Sequence, residues 1–344
     1  MSATIQTRVV PLDQLIPLVT SQDREEKDIE ILTPQIYQQS NTLTSTQLYH
    51  WVHDDEDDDR NFDDRQFALL FKDLSCYQPD YGSSFPEILS IFVDPIPSTV
   101  KTPPSLITGP ITSTVKIVLP RKNWIVGREW PTYERRLDSS HSSTLQSLMR
   151  TVYMKLDEVR EEARARWVKI RFPAGMPSTK YVIGRQIYRS RPVGQVAVGP
   201  MGKEVPVISY SAWYEAQTWD EFVAEVLSVM LGHLTRNIRI RIRNQRLQHD
   251  QEVFVVGFYG PQIYIARGYF PVETINRVHD KGCADDEQFE LLFTRGYDPF
   301  RKEDWLEAMR ALSRLFRYLV SGRAKVGVIQ KVLAESDTTV EKEN

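Results

Sequence analysis

Apolar and polar positions sort this chain into a few well-marked segments, most of them after residue 140. The clearest is Gln251–Phe270, where two apolar runs, Val253–Phe258 and Ile263–Ala266, flank Tyr259-Gly260-Pro261-Gln262. Val, Ile, Phe and Tyr suit a pleated, half-buried surface and Gly-Pro suits a reversal, so the segment predicts a β-hairpin. In its second arm Ile263 and Ile265 fall on one face, Tyr264 and Ala266 on the other. The first arm is apolar on both faces, which predicts an interior strand covered from both sides. A hairpin alone is not stable in water, so helices must pack on it.

Helical spacing marks three such covers. Leu145, Leu148, Met149, Val152, Leu156 and Val159 recur every three or four residues behind Ser142 and Ser143, either of which can cap a helix. Thr218-Trp219-Asp220-Glu221 has the form of a capping box. The stripe behind it comprises Phe222, Val223, Val226, Leu227, Met230, Leu231 and Leu234. Asp298-Pro299 predicts a third start, an acidic N-cap followed by proline at the first helical position, and Gly322 a stop. Its stripe runs from Trp305 through Met309, Leu312, Leu315 and Phe316 to Leu319. Between the helices lie short strand candidates bounded by Gly or Pro: Lys180–Tyr188, Gln195–Val198 and Val205–Ser211, with Phe289–Phe293 as a later one. The expected fold class is therefore α+β (or α/β), a mixed central sheet built on hairpin 251–270 with about three main amphipathic helices.

Upstream, the pattern thins. Residues 1–45 are rich in Ser, Thr, Gln and Asp and are expected to form a mostly disordered leader. Residues 46–140 form an irregular acidic and Pro-rich region with short elements: a helix at Phe67–Cys76, helix or strand at Glu87–Val93, and strands at Val115–Leu119 and Asn123–Val126. Pro95, Pro97, Pro103, Pro104 and Pro110 exclude regular structure around them. The main α/β domain is expected over 141–332, and a disordered tail over 333–344.

Composition narrows the class. With 344 residues, 41% hydrophobic and 26% charged, the chain is long enough for one large or two modest domains. A net charge of −3 gives no global drive towards nucleic acid, so any such role needs a local patch. The two cysteines, Cys76 and Cys283, exclude a disulfide-rich secreted scaffold. No stretch reaches the ~18 apolar residues of a membrane span. A cytoplasmic or nuclear address is expected, with no membrane partner and no cofactor. The acidic block His53–Asp59, continued by Asp63 and Asp64, lacks the glycine and spaced oxygens of a calcium loop and reads as a solvated, self-repelling segment.

From about 143 to 258 the expected order is helix, strand, strand, strand, helix, strand. That order resembles the core of the PD-(D/E)XK nuclease-like superfamily, whose members often carry a further hairpin and helix. The resemblance covers about a third of the chain. It implies an Asp after a Pro, and an (Asp/Glu)-x-Lys on the next strand, holding a divalent metal and positioning water. Here Arg191-Pro192 is followed by Val193, and Ser209 and Ser211 stand where the acid and lysine belong. The nearest acid and base, Lys203-Glu204, precede the strand in reversed order. The resemblance thus implies a nuclease-like fold with a degenerate catalytic motif.

The most suggestive polar stretch is Asn237–Gln245, where Arg239, Arg241 and Arg243 alternate with Ile238, Ile240 and Ile242, and Arg236 and Arg246 extend the cluster. On a strand the arginines share one face, suited to phosphate oxygens. A partner protein, the acidic block, or the dipole at the end of the preceding helix would serve equally. His279 and Cys283, with Asp280, Asp285 and Asp286, are types that bind zinc or form a nucleophile pair, without a second ligand pair. Gly199–Lys203 reads as a turn. Trp213, Tyr214, Trp219, Tyr259, Tyr264 and Tyr269 are stacking types that more often fill cores. The expectation is a non-catalytic binding or interaction protein contacting nucleic acid or a protein partner through Arg236, Arg239, Arg241, Arg243 and Arg246. The alternative is a metal-dependent nuclease or other hydrolase with an atypical acid set.

Overall fold

The hairpin is the centre of the sheet. A computed structural model describes residues 2–44, 47–48, 50–51, 62–77, 113–118, 132–166, 168–173, 179–199, 204–212, 217–242, 249–284, 287–327 and 329. Its arms are β8 (Gln251–Tyr259) and β9 (Gln262–Phe270), paired in register along their whole length. Gly260 and Pro261 make the two-residue turn, and Gly260 takes φ +56°. Proline excludes the type I′ alternative, which needs positive φ at both positions, so the turn follows the II′ pattern.

Eight strands form one mixed sheet in the order β2-β1-β10-β9-β8-β7-β6-β3. The others are β1 (Ser2–Val9), β2 (Ser113–Val118), β3 (Ile170–Arg171), β6 (Gly194–Val198), β7 (Val205–Ser211) and β10 (Gln288–Phe293). Two pairs, β1 with β10 and β7 with β8, are parallel and the rest antiparallel. A separate ribbon, β4 (Thr179–Ile183) and β5 (Gln186–Ser190), lies off the sheet. The chain is thus α+β, as the apolar pattern predicts. Among the described residues no helix is long and apolar enough to cross a membrane.

Strand alternation divides the apolar residues between two layers. Phe254, Val256, Phe258, Ile263 and Ile265 face one core, and Val253, Val255, Tyr264 and Ala266 the other. The first core is closed by α4 (Phe62–Tyr77), α5 (Thr132–Lys155), α6 (Asp157–Ala165) and α9 (Lys302–Val320), and α2 (Gln22–Ile31) packs on α9. Short α1 (Leu12–Leu15) and α3 (Ile36–Gln39) connect the first strand to this layer. The second core is closed by α7 (Trp219–Ile242), α8 (Val272–Lys281) and the inner face of the β4–β5 ribbon.

Several expectations are corrected. Residues 2–9 are no mobile leader: β1 sits between β2 and β10, with Ala3, Ile5 and Thr7 buried and Gln6 and Arg8 exposed. That is a period-two strand, hidden from a compositional reading by its Ser, Thr and Gln. No boundary falls at 140, because α5 runs through it and one core joins residues from Val10 to Ile329. The segment Lys180–Tyr188 is a hairpin, and the sheet's own first strand of that region is β3. Asp298 is not the cap of α9, which starts at Lys302 behind Arg301; its Oδ1 instead accepts from the Phe300 N–H at 3.0 Å in a local turn. The capping box at α7 stands: Thr218 N–H donates to Glu221 Oε2 at 2.9 Å, and Glu221 N–H to Thr218 Oγ1 at 3.3 Å. The block His53–Asp59, the Pro-rich stretch, Glu87–Val93, Asn123–Val126 and the tail 333–344 lie outside the described residues, as Cys76's side chain does.

The N-terminal helix is fastened to the last one by charge. Arg317 holds Asp28 with two hydrogen bonds, 2.5 Å and 2.8 Å, and Arg314 holds Glu25 at 2.6 Å and 2.9 Å, all between α9 and α2. Asp28's side chain is 0% exposed and that of Arg317 is 9%, so removing one partner strands a buried charge. Asp28→Ala should therefore cost about 3–5 kcal/mol in denaturant unfolding, while Asp28→Leu with Arg317→Met recovers most of it. An Asp28→Ala chain as stable as the parent would show that the pair contributes nothing to docking α2.

Candidate functional site

Helix α7 carries the structure's main concentration of unusual polar contacts. It crosses from β7 to β8, which are parallel, and so must lie over the sheet and be buried on several sides. Most of that burial is apolar, through Phe222, Val223, Val226, Leu227 and Met230. Towards β6 and β7, however, the seam is polar. Ser209 and Ser211 are two apart on β7 and meet α7 on the same side.

Ser209 Oγ lies 3.0 Å from His233 Nδ1. Ser211 Oγ donates to Glu225 Oε1 at 3.3 Å, and Gln217 Nε2 donates to Glu225 Oε2 at 2.9 Å. One turn beyond His233 on α7, Asn237 Nδ2 donates to the Pro206 carbonyl at 3.2 Å. Arg236 donates through Nη2 to the Glu204 carbonyl at 2.7 Å and through Nη1 to Gln195 Oε1 at 3.4 Å. Gln195 is itself the cross-strand partner of Ser209. The seam is thus continuous from β6 across β7 to the helix.

A serine beside a histidine at this distance has the outline of a nucleophile and its base. The surroundings oppose that chemistry. Both residues are 1% exposed, and burial, reinforced by the nearby Arg236 guanidinium, pushes the imidazole down to about 3. A base must accept the proton and carry the charge, which this site resists. His233 Nε2 has no hydrogen-bond partner among the described residues, so no third group orients the ring. The arrangement suits packing and not proton transfer.

The arginine cluster does not form a strand. Residues 238–242 continue α7, so positions 239 and 241 stand about 200° apart around the axis and do not share a face. The stripe that begins behind the capping box runs on without Pro and past a single Gly232, so elongation carries the helix through the Ile-Arg alternation. Arg236 is half-buried and tied to the β6–β7 layer, and positions 236 and 239 are neighbours on one side. The side chains of Arg239 and Arg241, and all of Arg243 and Arg246, lie outside what is described. The cations at a helix end match the dipole reading of this stretch.

Other candidates resolve into structure. His279 Nδ1 meets Asp280 Oδ1 at 3.0 Å on the surface, while Cys283 is buried and its thiol is pushed up to about 11, mainly by desolvation. That is the wrong direction for a nucleophile. Asp285 and Asp286 lie outside the described residues, and among those described no three His, Cys, Asp or Glu are grouped to hold a metal. Lys203 lies outside as well, and Glu204 contributes its carbonyl to Arg236. Trp219, Tyr259 and Tyr264 join Phe222 and Phe293 in an aromatic cluster in the second core. Tyr269 is exposed instead, its hydroxyl donating to Asp250 beneath the Lys325 ammonium. Trp213 and Tyr214 are outside the described residues. A cavity of about 30 Å³ between α7, α8 and the ribbon, lined by Leu231, Leu234, Phe270 and Ile275, has room for one water-sized molecule. Small-molecule sites are about ten times larger or more.

No protein-family model matches the sequence, and no curated protein is significantly similar to it. Ser209, His233 and Glu225 had no sequence signal, since their partnership joins residues 24 and 14 apart through the fold. One missed signal was readable: residues 163–203 contain nine Lys or Arg and no Asp or Glu.

His233 makes stability depend on pH. The unfolded imidazole takes its proton near 6.5 and the folded one only near 3, so between those values the unfolded state binds more protons. Stability should fall as the pH drops from about 6.5, by up to about 1.4 kcal/mol per unit from this group. In urea titrations at pH 7, 6, 5 and 4, His233→Gln should flatten the slope, and parallel curves for parent and variant would contradict the assignment.

Proposed function

We propose that this chain is a nucleic-acid-binding module built on a nuclease-like core whose metal-holding positions have been given over to packing. The observation that carries this reading is the fate of Ser209 and Ser211. They stand where the resemblance requires the acid and the lysine, and both are buried and hydrogen-bonded to α7. Val193, at the position of the Asp after proline, is also buried, with its N–H on the Tyr210 carbonyl at 3.1 Å. Hard cations need several converging oxygens, and these positions offer hydroxyls already engaged. The element order supports the same reading: helices α5 and α6, then β3, β6 and β7 in the sheet with the β4–β5 ribbon inserted after β3, then α7 and β8.

Binding is assigned to the basic end of α7 and the residues after it. Arg236, Arg239, Arg241, Arg243 and Arg246 put five guanidinium groups within eleven positions of a chain that is acidic overall. Guanidinium forks match phosphate oxygens in geometry as well as charge. A protein partner rich in carboxylates is the competing ligand for the same groups.

Labelled single- and double-stranded DNA and RNA, titrated at about 50 and about 200 mM salt with and without Mn²⁺, test both halves. The expected result is a mobility shift that weakens steeply with salt, intact probe in every lane, and affinity at least about 10-fold lower for Arg239→Ala/Arg241→Ala/Arg243→Ala/Arg246→Ala. Mn²⁺-dependent cleavage abolished by Glu225→Gln, the carboxylate that reaches β7, would replace this reading with an atypical nuclease.

A further inference from the structure

The acid-free span 163–203 places four of its cations on the β4–β5 ribbon: Lys180, Arg185 and Arg189 within it and Arg191 just after it, all exposed. The ribbon is held rigidly from behind. Tyr181 on its inner face hydrogen-bonds Ser228 of α7 at 3.1 Å, and Thr179 and Ser190 press on Gly232, where a Cβ would come within 2.2 Å of Thr179 Oγ1. At the tip, the N–H groups of Gly184 and Arg185 donate to the Val278 and His279 carbonyls, 2.9 Å and 3.2 Å, closing the C-terminal end of α8.

The outer face is unlike the rest of the surface. Lys180 stands directly opposite Arg189 across the two strands, and Val182 opposite Ile187, which is 64% exposed. Like charges in that register repel and lower the ribbon's own stability. Some exposed arginines elsewhere reach a carboxylate, as Arg8 does with Glu290 at 2.7 Å and Arg295 with Asp304 at 2.5 Å. Arg150, Arg301 and Arg323 form no ion pair among the described residues, so the cross-strand juxtaposition of its cations is what sets the ribbon apart. Lys180, Arg189 and Arg191 form no ion pair among the described residues, and at the tip Asp280 lies close enough to Arg185 for the two charges to interact.

We infer that the outer face of the β4–β5 ribbon docks on duplex nucleic acid, with Lys180, Arg189 and Arg191 on phosphates and Ile187 towards the base edges. A two-stranded antiparallel ribbon is one of the two elements that a major groove about 12 Å wide admits. Arms of five residues span about 17 Å, and Arg189 and Arg191 are about 7 Å apart along the strand, close to the spacing of successive phosphates. A membrane surface fits poorly, because one exposed aliphatic side chain offers little area to bury in lipid. The inference rests on the binding-module reading and adds a contact separate from the end of α7.

The test uses the full chain and a labelled DNA duplex over a salt series. It compares Lys180→Ala/Arg189→Ala with Arg239→Ala/Arg241→Ala, and with Lys27→Ala/Arg150→Ala. The last pair removes equal charge from helices on the opposite side of the sheet. Circular dichroism confirms that each variant is folded. The expected result is a ribbon variant at least about 10-fold weaker at low salt, its log–log salt slope shallower by about 2, and an unaffected opposite-side control. An unchanged ribbon variant beside a weakened α7 variant overturns the ribbon and leaves the binding module standing. Equal losses in the control and the ribbon variant reduce the effect to net charge and overturn it too. Polyglutamate displacing the duplex as well as unlabelled duplex does assigns the face to acidic protein and overturns it. A parent chain that shifts no probe removes the binding-module reading itself.

Discussion

A strand apolar on both faces cannot tolerate water on either. β8 is such a strand, and most of the architecture follows from covering it twice. Its Phe254, Val256 and Phe258 demand one layer, and its Val253 and Val255 another. The first layer is supplied by α4, α5, α6 and α9, with α2 docked on α9, and the second by α7, α8 and the ribbon. Because chain segments from both ends are needed to close the first layer, α2 must reach α9, and the paired charges Asp28–Arg317 and Glu25–Arg314 set where it lands. Such pairs add little net stability against an apolar alternative, but each is costly to break, so they act chiefly on the choice of docking geometry.

The same requirement explains α7. A parallel step from β7 to β8 requires a crossover, and the crossing helix is enclosed between the sheet and the ribbon. Polar groups caught in that enclosure must find partners or pay desolvation. Ser209 with His233, Ser211 with Glu225, and Arg236 with the Glu204 carbonyl are those partnerships. What resembles catalytic machinery in outline is thus the polar half of a packing interface. On the ribbon, by contrast, Lys180 and Arg189 lie exposed and form no ion pair among the described residues.

Much of the fold was legible because it depends on local periodicity. The hairpin, the facing of Ile263 and Ile265 against Tyr264 and Ala266, the capping box at Thr218 and the strand at Phe289–Phe293 all follow from spacing of two or three to four residues. Two segments depart from what composition or a short alternation suggests. β1 was masked by its Ser, Thr and Gln although its buried positions alternate. In Asn237–Ile242 a two-residue alternation of Ile and Arg lost to a helix already nucleated 18 residues earlier.

The amino-acid sequence by itself determined most of the segments that become strands and helices after residue 140, where the central hairpin turns, and that one of its arms must be buried on both sides. Each of these rests on interactions between near neighbours and on the sidedness they impose. Only the tertiary structure decided that the N-terminal strand lies beside β10, that Ser209 meets His233, and that Lys180 and Arg189 face outward together with no ion pair among the described residues. Those outcomes depend on which distant elements share a face of the sheet. Register and layer order settle that choice, and no local spacing encodes them.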